Sequence, residues 1–115
     1  MTDTTSRDIA ARSATVTIGG SEYELVLTTK AIRLIAQRYG GLDNLGAALE
    51  TSEDLDQTLT EVIWLITLLA NQSVQIHNLP HRGHLRPQST EGEVELLTVP
   101  ADIADSRGAI AEALQ

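Results

Sequence analysis

Three histidines crowd one short stretch, His77, His81 and His84, with Arg82 and Arg86 among them. Spacings of four and three could set three imidazoles on one helical face, and three histidines plus a water make a catalytic zinc site. Pro80 interrupts the helix that would align the rings, the arginines oppose a cation, and no carboxylate within the segment orients an imidazole. The expectation is therefore no metal ligand here. Asp54 with Asp56, and Glu91 with Glu93 and Glu95, supply paired carboxylates, but at i, i+2 they point apart on a helix and read as solvated faces. No serine stands in a Gly-x-Ser-x-Gly turn. The Gly19-Gly20 pair lacks the further glycine, the Lys-Ser/Thr pair and the following helix of a phosphate-binding loop. Cysteine is absent, which removes disulfides, thiolate catalysis and cysteine-based metal sites together. No catalytic, cofactor-binding or metal-binding residue is expected, and the chain reads as a non-enzyme with no cofactor.

With one Trp, two Tyr and no Phe, an aromatic pocket for bases or flat cofactors is hard to build. Sixteen acidic against eight basic residues give a net charge of −8, which makes nucleic acid an unfavourable partner. The excess is concentrated: residues 51 to 71 carry four acids and no base, and residues 91 to 115 carry six acids and one base. Such a surface serves solubility, or matches a basic partner. No charged-then-apolar signal segment opens the chain, so the expected location is the cytoplasm.

The elements that must position any site begin after a polar stretch, residues 1–13, expected to be a flexible arm. Val16 and Ile18 alternate with threonines before Gly19-Gly20, and Tyr23, Leu25 and Leu27 alternate after it, which predicts a β-hairpin with these five residues facing the core. Thr28 or Thr29 then caps a helix that buries Ala31, Ile32, Ile35 and Tyr39 and stops at Gly40. Leu42, Leu45 and Leu49 mark a shorter helix, and Thr51 to Asp54 read as the start of the next.

That next helix, ending at or before Asn78, is the centre of the chain. Leu55, Leu59, Val62, Ile66 and Leu69 share one face, and Ile63, Leu65 and Leu68 widen the apolar surface, so the helix should be covered on several sides. Trp64 within it is expected to be a core or interface anchor. Glu61 and Asn71 bracket an unbroken apolar run of only nine residues, short of a membrane span, so no membrane is expected. A loop over residues 79 to 90 follows. Thr90 with Glu93 fits a capping box before Val94, Leu96 and Leu97, read as a helix although Val-Glu-Leu could also alternate as a strand. Pro100 suits the first turn of a last helix, whose stripe is Ile103, Ala104, Ile110, Ala111 and Leu114. The predicted fold is mostly α: one domain over residues 14–115, a short N-terminal β-hairpin packed on a bundle of four or five helices.

Ile18-Gly-Gly-Ser-Glu-Tyr-Glu-Leu25, Leu27-Thr-Thr-Lys-Ala-Ile32, Tyr39-Gly-Gly-Leu42 and the apolar helix through Leu68-Leu-Ala-Asn-Gln72 resemble small tail assembly chaperones of long-tailed bacteriophages and prophages. Glu95-Leu-Leu-Thr-Val-Pro-Ala-Asp102 and Ala109-Ile-Ala-Glu-Ala-Leu114 are similar too, while the histidine and arginine loop at 77 to 86 has no counterpart. The resemblance implies a cytoplasmic protein of the bacterial host, absent from the mature virion. It would bind the tape-measure protein, keep it soluble and help recruit tail-tube subunits. Self-association into a homo-oligomer would let many copies line a long client. The apolar positions expected to carry helix contacts are Leu59, Ile63, Leu65 and Leu68. The alternative is a small structural phage protein of the head-to-tail completion type, retained in the virion.

Overall fold

The computed structural model describes residues 13–41, 44–45, 55–80, 83 and 85–114. Two strands lead, β1 (Ser13–Ile18) and β2 (Ser21–Val26), followed by four helices: α1 (Thr29–Tyr39), α2 (Leu55–Asn78), α3 (Glu91–Leu97) and α4 (Pro100–Ala113). The expected mostly helical fold with an N-terminal hairpin is what the chain forms. The arm expected over residues 1–13 lies outside the described residues, apart from Ser13, which opens β1. Of the short helix expected from Leu42, Leu45 and Leu49, only Asn44 and Leu45 are described; both are helical and Leu45 is fully buried. The helix start expected at Thr51 to Asp54 also lies outside the described residues.

β1 and β2 pair antiparallel with Val16 opposite Tyr23 and Ile18 opposite Ser21. Gly19 and Gly20 alone connect them, with φ of 60° and 81°, the two positive angles that let a two-residue turn follow the twist of the strands. A Cβ on Gly19 would also stand 3.2 Å from Cδ2 of Leu97, so the turn needs glycine there for space as well as for backbone. Ala14, Val16, Ile18, Leu25 and Leu27 are buried as the alternation requires, with Tyr23 half-buried. Two strands have too little surface to stand alone, and here β2 lies on α2 and β1 on α4.

α1 begins at Thr28, whose hydroxyl accepts the amide of Ala31 at 3.0 Å. The same hydroxyl donates to Oε1 of the buried Gln72, so one cap also fixes α1 against α2. Gly40 closes the helix in the left-handed region at φ 80°, its amide reaching the Ala36 carbonyl at 2.8 Å. α2 is covered on several sides, by β2, α1, α3 and α4. Val62, Leu65, Ile66 and Leu69 are fully enclosed, Ile63 and Ala70 nearly so. Within Asp56–Asn78 an 18-residue window reaches a mean hydropathy of 1.2, long and apolar enough by length and composition alone to cross a membrane, but 44% of that window is buried within the chain itself.

α4 departs from the expected stripe. Ile103, Ser106, Ile110 and Ala113 form the inward face at spacings of three, four and three, with Ala109 beside them, while Ala104 and Ala111 are exposed. Alanine carries little apolar area, so the two isoleucines and the space available set the rotation of the helix.

Candidate functional site

The first half of α2 lines a cleft. Asp56, Leu59, Thr60 and Ile63 stand at i, i+3, i+4 and i+7, a single ridge along the helix. The facing wall comes from α3 and the start of α4: Glu91 and Glu95, then Thr98, Val99 and Ile103. Between the walls lies an open cleft of about 390 Å³ with Leu59, Ile63, Val99 and Ile103 as its apolar surface and Asp56, Glu91 and Glu95 as its charged side chains. Glu91 and Glu95 are one helical turn apart and share a face, whereas Glu93 turns away to complete the cap of α3.

Local chemistry sets the second wall. Thr90 Oγ1 accepts the Glu93 amide at 3.2 Å, and the Glu93 carboxylate accepts the Thr90 amide at 3.3 Å, so the expected capping box starts α3. Pro100 holds Val99 in extended geometry (φ −121°, ψ 166°), and the Asp102 carboxylate accepts the Val99 amide at 3.1 Å. The α3–α4 junction is thereby a fixed corner, and Val99 remains 57% exposed at the cleft.

The returning chain that carries α3 is strapped to α2. Asn71 donates to the Ser89 carbonyl at 2.8 Å and accepts the Ser89 amide at 2.8 Å. Two turns on, Asn78 does the same with Arg86, at 3.1 and 2.9 Å, and between them Gln75 donates to Gln88 at 3.0 Å. Residues 85–90 have no helix or strand of their own, so Asn71 and Asn78 supply backbone partners that a ladder would otherwise provide, while Gln75 bonds the Gln88 side chain.

On the other side of α2, α1 is anchored by a polar and aromatic knot. Arg38 pairs with Glu61 (Nη2 to Oε1, 2.8 Å; Nε to Oε2, 3.3 Å), and the Tyr39 hydroxyl donates to the same carboxylate at 2.6 Å. The Arg38 guanidinium lies 4.5 Å from the Trp64 ring centre, and Tyr39 meets Trp64 edge-on at 6.0 Å. Burial alone would raise the Glu61 pKa, but the hydrogen bonds from Arg38 and Tyr39 outweigh it and hold the carboxyl below its ordinary value. Burial, then the Glu61 carboxylate, pushes the Tyr39 phenol well above its ordinary value. Trp64 is thus a half-buried anchor within the chain.

Of the four positions expected to make helix contacts, Leu59 and Ile63 line the cleft, Leu68 is half-buried against the core, and Leu65 is fully enclosed in it. Asp56, Thr60, Glu91, Glu95, Thr98, Val99 and Ile103 were missed; the i, i+3, i+4, i+7 pattern of 56, 59, 60 and 63 was readable, but the opposing wall depends on how α3 returns. Among the histidines only His77 is described, in the last turn of α2, and His81 and His84 lie outside the described residues. Among the described residues no three His, Asp or Glu side chains are grouped to hold a metal ion.

A hairpin-and-helix domain with an acid-rimmed apolar cleft is the class that fold and site define. No protein-family model matches the chain, and no curated protein or solved structure is significantly similar to it.

Proposed function

We propose that this chain is a non-enzymatic assembly chaperone of the phage-tail type, which holds the tape-measure protein in solution and helps bring tail-tube subunits to it. The observation that carries the reading is the open cleft, whose apolar lining is the half-buried Leu59 and exposed Val99 together with the largely buried Ile63 and Ile103. An apolar cleft beside a helix is the form in which proteins receive a partner helix. The net charge of −8 keeps such a complex dispersed. On this reading the protein works in the cytoplasm of its bacterial host, in several copies along the client, and leaves before the virion is complete.

Co-expression with the tape-measure protein from the same gene cluster tests it. The expected result is a soluble complex that purifies as one species; equal precipitation of the client with and without this chain overturns the proposal. Mass spectrometry of purified particles adds a second arm, since a structural component would be present in them and a chaperone absent.

A further inference from the structure

We propose that the cleft between α2 and the α3–α4 corner receives one amphipathic helix whose apolar ridge is flanked by lysine or arginine. In making the occupant a polypeptide client, this rests on the chaperone reading; the occupant's chemistry is set by the cleft. From Asp56 to Ile63 the cleft follows α2 for about 10 Å, two helical turns, with Leu59 and Val99 as its accessible apolar side chains beside the largely buried Ile63 and Ile103, a length that suits two turns of a partner helix. Every charged side chain lining the cleft is acidic: Asp56 on one wall, Glu91 and Glu95 on the other. An apolar ridge alone would leave those carboxylates facing uncharged surface, and an acidic partner would meet repulsion from both walls. Flanking cations complement the exposed Glu91 and Glu95 and steer the approach. A second copy of this chain is a poor occupant for the same reason, since it also carries a net charge of −8.

Isothermal titration of the full chain with two synthetic helices of about five turns tests this, one of leucine and lysine, the other with the same leucine ridge and glutamate in place of lysine. The leucine–lysine helix should bind more tightly by about tenfold or more, with affinity falling as salt is raised. Glu91→Lys with Glu95→Lys, and separately Val99→Asp, should each weaken it by about tenfold, while Leu96→Asp should not. Leu96 and Val99 are both more than half exposed, at 88% and 57%, so neither change disturbs the core, and circular dichroism checks folding of every variant. Equal binding of the two helices, or no effect of the double reversal, overturns the inference. A dimer that Val99→Asp dissociates also overturns it and assigns the cleft to a second copy. If the leucine–lysine helix docks as described while the tape-measure protein still precipitates, the cleft chemistry stands and the chaperone reading falls. If the client stays soluble with the reversed cleft, the chaperone reading stands and this inference falls.

Discussion

Ser106 is fully buried on the inward face of α4, and its hydroxyl has no hydrogen-bond partner among the described residues. A buried hydroxyl left unpaired costs about 1–3 kcal/mol, and alanine is also the better helix former. Ser106→Ala should therefore stabilise the protein by about 1 kcal/mol, read as a rise in Tm of about 4 °C; a fall would mean that a water or a rotated hydroxyl satisfies the group. The residue-scale features most legible in the sequence were those whose partner is three residues away. Thr90 over Glu93 was found and the cap of α1 was narrowed to Thr28 or Thr29, of which Thr28 makes it, because a cap is a local bond between fixed neighbours. The second bond of Thr28, to Gln72 forty-four positions on, was not, because nothing local selects that partner.

Between elements, the strap formed by Asn71, Gln75 and Asn78 decides where α3 stands and hence whether the cleft has a second wall. In the sequence Asn71 looks like a polar interruption of an apolar stripe; in the fold its amide group is matched to both backbone groups of Ser89. Asn71→Ala should cost about 2 kcal/mol by urea unfolding, near 1 kcal/mol for each lost bond. Hydrogen exchange at the Ser89 amide should accelerate in the variant, and an unchanged rate would show that the strap does not depend on this residue. The hairpin was readable in its two strands and its glycine turn, but strict alternation fails at the end of β2, where Val26 is buried along with Leu25 and Leu27. The rotation of α4 was misread because its alanines are too small to compete with Ile103 and Ile110 for the core.

At the scale of the whole molecule, acid should loosen the union of α1 with α2. Glu61 has a folded pKa held below its unfolded value, so its contribution is present at neutral pH and is lost as pH falls from the ordinary glutamate value, about 4.3, through the folded value. Glu61→Gln should be less stable by about 1 kcal/mol at pH 7, a modest figure because solvent reaches the one-third-exposed Arg38 side chain. The variant and the native chain should converge in Tm as pH falls through the lowered folded value of Glu61. Parallel curves from pH 7 to 3 would refute the assignment. On the alkaline side the raised Tyr39 pKa works oppositely: stability is whole below the unfolded phenol value, about 10, and is lost as pH rises beyond it.

The apolar spacing of Val62, Ile66 and Leu69, the glycine pair and the caps determined by themselves that this chain makes a hairpin and helices, with α2 at the centre, since each depends on neighbours within a few residues. The tertiary structure alone decided which apolar side chains are used up inside. Leu65 is enclosed and Ile63 and Ile103 are nearly so, whereas the half-buried Leu59 and the exposed Val99 are left at the cleft. That division depends on where α3 and α4 come to lie across α2, and it is fixed by contacts between residues far apart in the chain, which no local pattern encodes.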